Sequence, residues 1–276
     1  MTEASAPDSP TLVVANGLGG PRLSVRTLME YFQDRYRFLT WDYRGLYESD
    51  RPAGGEEAYS MARHVDDLSA VLAAEGVERA GFLGWSMGVQ VCLEAHRTLS
   101  DRMQAMVLLS GTFGRPLDGS LTGPAKPLLS GLLGAAQRHA DKLERALRTA
   151  AGAPEFVPLL KRAGLMADTV DDHEFAEVVA MFSTLSVDSF LHNLKALGEH
   201  DASDELGRIA LPVLIVTGDK DRMTPPELAK QMARRLQRAD LLVVRGGTHY
   251  AAVEFPELIA LRMERFFRAH APALAR

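Results

Sequence analysis

The sequence is poor in cysteine and lacks any long apolar run. Its 276 residues include a single cysteine, Cys92, so no disulfide can form within the chain and we expect a buried structural thiol. No apolar run approaches the roughly 20 residues that a membrane-spanning helix needs. Residues 1–10 are polar and contain proline, which is typical of a disordered tail rather than of a signal peptide or membrane anchor. These absences predict a cytoplasmic protein with no integral membrane segment.

Excess positive charge is also absent. The chain has 31 Lys and Arg residues against 36 Asp and Glu residues, which gives a formal net charge of -5. Proteins that bind nucleic acid or anionic lipid surfaces carry basic patches, so we expect neither as a partner. With 46% hydrophobic and 24% charged residues, the composition is that of a globular protein large enough for one α/β domain with an inserted module.

Short apolar runs alternate with segments of helical periodicity over most of the chain. The runs that predict strands are Thr11–Ala15, Phe38–Trp41, Ala80–Leu83, Met106–Leu109, Pro212–Thr217 and Leu241–Val244. This alternation favours right-handed βαβ crossovers, and hence a mostly parallel sheet with helices on both faces. The fold class is therefore predicted as α/β with about six strands, whose carboxyl ends meet at the edge where ligands collect.

The alternation stops between residues 114 and 206. Helical patterns occur there at 128–136, 140–150, 174–185 and 189–197, with no strand-like run between them. We therefore predict a helical cap, residues 114–206, inserted into a core formed by residues 11–113 and 207–276. The apolar face in the second half of the cap is expected to serve mainly for packing, with a few side chains at a substrate pocket.

The segment Gly84-Trp85-Ser86-Met87-Gly88 lies between a predicted strand and a predicted helix. Glycines two residues before and after the serine remove the Cβ atoms that would clash in a tight strand-to-helix turn. Such a turn lifts the serine oxygen clear of the sheet and directs a helix N-terminus at charge that develops beside it. The pattern predicts a nucleophile elbow with Ser86 as the nucleophile; a plain turn of glycine and serine is the alternative interpretation.

Acidic residues follow the fifth predicted strand and His249 follows the sixth, so the chain presents serine, acid and histidine in that order. This order and the motifs around it resemble the α/β-hydrolase superfamily over residues 11–270. The motifs that carry the resemblance are Asn16-Gly17-Leu18, Asp42-Tyr43-Arg44-Gly45, the elbow, Gly218-Asp219-Lys220-Asp221 with Pro225, and Gly247-Thr248-His249 with Glu254 and Pro256. Because only about ten residues precede the first strand, the antiparallel hairpin that usually opens this fold is expected to be missing or reduced.

The resemblance implies a catalytic triad. Ser86 is the expected nucleophile, His249 the general base and acid, and Asp221 the acid that orients the imidazole. Asp219 is the alternative acid, and its simpler interpretation is a side chain that stabilises the turn, because aspartate readily bonds neighbouring backbone in loops.

An oxyanion hole is implied as well. Its expected donors are the backbone N–H of Met87, placed by the elbow, and that of Leu18 after the first strand. Asn16 stands where the family usually has histidine, so we expect the brace of this loop to differ while the donor stays available. Arg44 and the acids around it are expected to fix the loop after the second strand.

These residues predict a serine hydrolase that cleaves a carboxylic ester, lactone or thioester with an apolar group through an acyl-enzyme on Ser86. The expected partner is a small-molecule apolar ester-type substrate, no metal or cofactor is expected, and the oligomeric state is left open. Amide or carbon–carbon bond hydrolysis, acyl transfer and perhydrolysis use the same triad and stay as alternatives, as does a non-catalytic ligand-binding receptor. The seven other histidines are expected to have packing or surface roles, and the acids at 171–174 to begin a helix.

Overall fold

The computed structural model describes residues 9–20, 25–115, 134–151, 158, 180–181 and 183–275. Most of the predicted tail lies outside these residues, as do the acids at 171–174 and most of the predicted helices at 128–136 and 174–185. In the described part of the chain, no helix combines the length and the apolar character that crossing a membrane requires.

Six parallel strands form one sheet. They are β1 (Thr11–Ala15), β2 (Arg37–Thr40), β3 (Ala80–Trp85), β4 (Met103–Leu109), β5 (Val213–Gly218) and β6 (Ala239–Val244). Their spatial order is β2-β1-β3-β4-β5-β6, and every neighbouring pair is parallel. The central strands are buried on both faces, as their continuous apolar runs predict. The predicted fold class is confirmed, and within the described residues no antiparallel strand extends the sheet.

Helices cover both faces of the sheet. They are α1 (Arg26–Tyr31), α2 (Met61–Ala74), α3 (Met87–Leu99), α4 (Ala140–Ala151), α5 (Val187–Glu199), α6 (Pro226–Arg235), α7 (Ala251–Glu254) and α8 (Pro256–His270). Proline begins both α6 and α8, where its missing N–H removes no helical hydrogen bond. Helices α2, α3 and α6 bury their apolar sides against one face, and α1 and α8 bury theirs against the other.

The two faces bury separate apolar clusters, as neighbouring residues of β3 show. Phe82, 1% exposed, packs in the cluster that includes α2 and α3, whereas Leu83, 2% exposed, packs in the cluster that includes α1 and α8. Burial of a side chain of this size contributes roughly 1.5–3 kcal/mol. A register shift of one residue would exchange the two faces, so the apolar pattern holds the strand ends in fixed positions.

The strand order brings two loops together at the carboxyl edge of the sheet. β1 has β2 on one side and β3 on the other, and Ala15 pairs with Gly84 at the ends of β1 and β3. The chain therefore leaves these two strands side by side, at the switch point where open α/β sheets bind ligands. The loops after β5 and β6 leave from the same edge.

Helix α5, which belongs to the predicted cap, packs directly on the core. Asn193 donates to the backbone of the loop after β2 (3.1 Å), and a Cβ atom on Gly45 would lie 2.3 Å from Ser189 Oγ. The two ends of the predicted insertion also lie together, because the N–H of Ala202 donates to the carbonyl of Phe113 (2.8 Å). This geometry fits an insertion between β4 and β5, while the boundaries 114 and 206 stay a prediction.

Candidate active site

The turn between β3 and α3 leaves no room for side chains at its glycines. A Cβ atom on Gly84 would lie 2.4 Å from the carbonyl oxygen of Gly88, and one on Gly88 would lie 1.9 Å from that of Ala15. Ser86, at the apex, has φ 55° and ψ −113°, a strained conformation for a residue with a side chain. The close backbone contacts enforce this conformation and present Ser86 at the carboxyl edge of the sheet.

The hydroxyl of Ser86 does not cap the helix that follows it. A serine just before a helix ordinarily accepts a hydrogen bond from a backbone N–H of the first turn, but Ser86 makes no such bond. Its Oγ lies instead 2.9 Å from Nε2 of His249. A plain turn does not explain why this serine contacts an imidazole from the loop after the last strand.

The loops after β5 and β6 hold Asp221 and His249 together. A Cβ atom on Gly218 would lie 2.2 Å from the carbonyl oxygen of Gly247, and the N–H of Lys220 donates to the same carbonyl (2.9 Å). Nδ1 of His249 lies 3.0 Å from Oδ2 and 3.2 Å from Oδ1 of Asp221. The structure thus brings the predicted serine, histidine and acid into one hydrogen-bonded series.

Asp221 is a fully buried carboxylate with several donors besides the imidazole. Its Oδ1 accepts from the backbone N–H groups of Met223 (2.9 Å) and Thr224 (2.8 Å), and its Oδ2 accepts from the hydroxyl of Thr224 (2.8 Å). These bonds offset the hydration that a charged group loses on burial, and they fix the carboxylate toward the histidine. Asp219 accepts from the N–H of Gly246 (2.7 Å), so its carboxylate bonds the loop after β6 rather than the neighbouring backbone of its own turn.

The backbone around His249 is braced from two directions. Trp85, the residue before the serine, donates its indole N–H to the carbonyl of His249 (3.2 Å). Glu254 accepts from the N–H (2.7 Å) and the hydroxyl (2.6 Å) of Thr248. Burial raises the pKa of Tyr250, whose ring packs edge-on against the imidazole as a neutral phenol. The imidazole is therefore held in one orientation at a position where it is 4% exposed.

The predicted oxyanion donors lie on the two loops that meet beside Ser86. A Cβ atom on Gly17 would lie 3.3 Å from Cβ of Ser86, so the residue before Leu18 is in close contact with the elbow. Met87 begins α3, where backbone N–H groups have no partner inside the helix. Among the backbone hydrogen bonds of the described residues, none uses the N–H of Leu18 or of Met87. Within the described residues, no backbone carbonyl therefore competes with a ligand for these two groups.

Cys92 is a second potential nucleophile on α3, and its surroundings make it unreactive. It is 1% exposed, and burial raises the pKa of its thiol to about 12. The thiol stays protonated at neutral pH, and only the thiolate is a strong nucleophile. The prediction of a buried structural thiol is confirmed. In the described part of the chain, no group of three or more His, Cys, Asp or Glu side chains is arranged to hold a metal ion.

Sequence reasoning did not single out Thr224 or Trp85, although both contact the hydrogen-bonded series. The role of Thr224 could have been predicted, because a threonine three residues after an aspartate in a loop commonly donates a hydrogen bond to the carboxylate. The role of Trp85 could not, because its partner is a carbonyl oxygen that any residue supplies.

The chain matches the model of the family described as alpha/beta hydrolase fold over residues 10–256, and it belongs to that family. It is 28% identical over 270 residues to "Putative carbamate hydrolase RutD" of Pseudomonas syringae pv. syringae, an alignment that covers 95% of this chain and 93% of the relative. A bromoperoxidase of Bacillus anthracis has the same fold, with a TM-score of 0.77 at 19% identity, over 94% of this chain and 92% of that chain. A thermophilic esterase of Thermogutta terrifontis also shares this fold, with a TM-score of 0.74 at 21% identity, over 95% of this chain and 90% of that chain.

Proposed function

We propose that this α/β hydrolase is a serine hydrolase that cleaves a carboxylic ester, or the related lactone or thioester, through an acyl-enzyme on Ser86. The observation that carries the proposal is the 2.9 Å contact between Ser86 Oγ and His249 Nε2, with Asp221 3.0 Å from the opposite nitrogen of the same ring. A serine hydroxyl is a weak nucleophile at neutral pH unless an adjacent base takes its proton. The contact of His249 with Ser86 Oγ supports its assignment as that base.

Acylation uses all three side chains. Ser86 Oγ bonds to the carbonyl carbon of the substrate while its proton moves to Nε2 of His249, and the π electrons of the carbonyl move to its oxygen. Asp221 accepts from Nδ1–H, keeps Nε2 unprotonated before the attack and stabilises the imidazolium that forms. The tetrahedral species then collapses, and the leaving alcohol takes the proton from Nε2.

Water completes the cycle by the same route. It gives a proton to Nε2 as its oxygen bonds to the acyl carbon and the π electrons move to the carbonyl oxygen. The bond from the acyl carbon to Ser86 Oγ then breaks, Oγ takes the proton back from Nε2, and the acid is released. In both half-reactions the N–H groups of Leu18 and Met87 donate to the oxyanion. Each such donor contributes on the order of 10²- to 10³-fold in rate.

The surroundings of the serine support a substrate with an apolar group. Leu18 is partly buried against the same apolar cluster as Phe113 after β4, and as Phe190 and Leu194 on α5. Met87 is fully buried within that cluster. The N–H groups proposed as oxyanion donors thus belong to residues packed in the same apolar cluster as α5, which supports an apolar acyl or alcohol group.

Carbamate hydrolysis is a second candidate, favoured by one observation. The relative from Pseudomonas syringae, which aligns over 95% of this chain, carries the name of a carbamate hydrolase. A carbamate has an ester-like carbonyl whose carbon also bonds nitrogen, so the same serine attack applies to it. Electron donation from that nitrogen makes the carbonyl less electrophilic, and ester substrates are expected to turn over faster.

The test compares Ser86→Ala with Ser100→Ala on a panel of p-nitrophenyl esters of rising chain length, with lactones, thioesters and carbamates beside them. Ser100 is an exposed serine at the other end of α3, so its variant controls for loss of a hydroxyl. We expect Ser86→Ala to lower turnover by as much as about 10⁶-fold and Ser100→Ala to leave it unchanged. Ester cleavage that survives in folded Ser86→Ala would contradict the mechanism.

A fluorophosphonate probe separates the enzyme from a ligand-binding receptor. The probe phosphonylates an activated serine, so mass spectrometry of the labelled wild-type protein should locate the adduct on Ser86. Wild-type protein that is folded but unlabelled, and inactive on the whole panel, would favour the non-catalytic receptor.

A further inference from the structure

Two tyrosines from the loop after β2 bond to the loop after β1 on either side of Leu18. The hydroxyl of Tyr43 donates to the carbonyl of Asn16 (2.7 Å), and that of Tyr47 donates to the carbonyl of Gly19. We propose that Tyr43 and Tyr47 are positioning residues that hold the N–H of Leu18 where it donates to the oxyanion. This inference rests on the proposed function.

Leu18 needs support from outside its own loop. Gly17, Gly19 and Gly20 surround it, and glycine gives a chain more backbone conformations than any other residue. Within the loop, the N–H of Gly20 donates to the carbonyl of Gly17 (2.9 Å), which closes the turn, but this bond does not tie the turn to the loop after β2. Hydrogen bonds at both ends of the Asn16–Gly19 segment reduce the conformational freedom that the glycines give.

Tyr43 is suited to a permanent brace. It is 3% exposed, and its ring packs edge-on against Trp41 and His64. Burial raises the pKa of its phenol well above the usual value, so the hydroxyl remains a donor throughout the range of an activity assay. Loss of the phenol proton therefore does not break the bond to Asn16 under assay conditions.

Tyr47 carries an independent sign of function in its backbone. It has φ 51°, in the left-handed region that favours glycine, and an aromatic residue there is strained. Glycine would relieve the strain but would lose the hydroxyl that reaches Gly19. The bond from its side chain to Gly19 gives a reason for tyrosine at this strained position.

The loop that presents the tyrosines is itself rigid. The N–H of Gly45 donates to the carbonyl of Asp50 (3.0 Å), which closes the loop on itself. Arg44 forms a two-pronged bond to Asp67 of α2, at 2.6 and 2.7 Å, and Asn193 of α5 bonds the carbonyl of Arg44. A continuous set of contacts therefore runs from α2 and α5 through this loop to Leu18.

The test uses Tyr43→Phe, Tyr47→Phe and the double variant, with Tyr36→Phe as a matched control. Tyr36 is also a buried tyrosine whose hydroxyl donates to a backbone carbonyl, that of Leu274 in the C-terminal segment, so its variant reports the general effect of losing such a bond. Active sites are first counted with the fluorophosphonate. Then kcat per active site, KM and the affinity for a trifluoromethyl ketone, whose adduct with Ser86 carries an oxyanion, are measured.

Each single variant is expected to lower kcat per active site by about 10-fold, and the double variant by about 10²-fold, with KM nearly unchanged. Affinity for the trifluoromethyl ketone should fall in parallel, because that adduct uses the same donor. Tyr36→Phe should leave kcat and ketone affinity unchanged even if it lowers the melting temperature. The Tyr47→Gly variant, which loses the hydroxyl but relieves the strain, should be as slow as Tyr47→Phe.

The measurements distinguish a failure of the tyrosine proposal from a failure of the proposed function. Wild-type kcat per site and wild-type ketone affinity in the double variant would overturn the role of the tyrosines and leave the serine mechanism standing. A wild-type protein that neither labels at Ser86 nor turns over any substrate would overturn the proposed function, and this inference with it.

Discussion

Substitution of Gly88 by alanine should damage catalysis and stability together. The built Cβ atom would lie 1.9 Å from the carbonyl oxygen of Ala15 and 3.0 Å from that of Asn16. Both contacts are with backbone, so no side-chain rotation can relieve them. An ordinary contact begins at 3.4 Å, so α3 and the end of β1 must separate by about 1.5 Å.

This displacement changes the position of the proposed nucleophile relative to the proposed oxyanion donors. Ser86 and Met87 precede Gly88 on the elbow, and Leu18 follows Asn16 on the β1 loop, so the nucleophile and one donor move relative to the other donor. A misplacement of about 1 Å costs on the order of 10²-fold in rate. Overpacking of this kind also destabilises a fold by about 1–3 kcal/mol, which lowers the melting temperature by about 2–4 °C for each kcal/mol.

The assay measures kcat per fluorophosphonate-reactive site and the thermal unfolding of Gly88→Ala. Gly207→Ala is the control, because a Cβ atom on Gly207 would have nothing within 4 Å. The control should match the wild type in both measurements. Wild-type turnover and melting temperature in Gly88→Ala would refute the claim that the elbow is fixed by contact with β1.

Two further predictions concern the acid and a buried histidine. Asp221→Asn should lower kcat by about 10⁴-fold, because an amide no longer holds the reactive imidazole tautomer, whereas Asp219→Asn should change it little; equal losses in steady-state assays would contradict the assignment. Burial lowers the pKa of His64 from 6.5 to about 4, so as the pH falls the unfolded chain binds a proton before the folded chain does. The contribution of the neutral His64 to the free energy of unfolding is therefore present above pH 6.5 and is lost as the pH falls toward 4. About 2 kcal/mol of that free energy is lost between pH 7 and pH 5. Denaturant unfolding of His64→Gln should show a smaller decline over this interval, and an unchanged one would exclude His64 as its source.

Regular elements were predictable because their signals are local. The observed bounds of β1 are those of the predicted apolar run Thr11–Ala15. Boundaries next to the site were less exact, because β3 continues to Trp85 although the predicted run Ala80–Leu83 ends two residues earlier. Glycines at the elbow weaken the local preference there, so contacts with β1 and β4 decide where the strand ends.

The contacts of charged and polar side chains were harder to predict than the helices and strands that carry those side chains. Arg44 was expected to bond the acids around it in its own loop, but its two-pronged partner is Asp67, which α2 supplies. His64 was expected to have a packing or surface role, and its complete burial beside Tyr43 in the core makes it a packing residue. The choice of partner depends on which elements the fold brings together, and no local pattern encodes it.

With the choice of Asp221 over Asp219 left to the resemblance to the α/β hydrolases, the sequence was enough to predict the α/β class, the parallel sheet, and the candidates Ser86 and His249. It could do so because apolar periodicity, glycine spacing and the order of residue types along the chain are all visible without coordinates. Only the tertiary structure placed Ser86 Oγ 2.9 Å from the imidazole and the hydroxyls of Tyr43 and Tyr47 on the loop of Leu18. Those tyrosine bonds end on backbone carbonyls, which every residue has, so the sequence contains no trace of which carbonyl a distant side chain reaches.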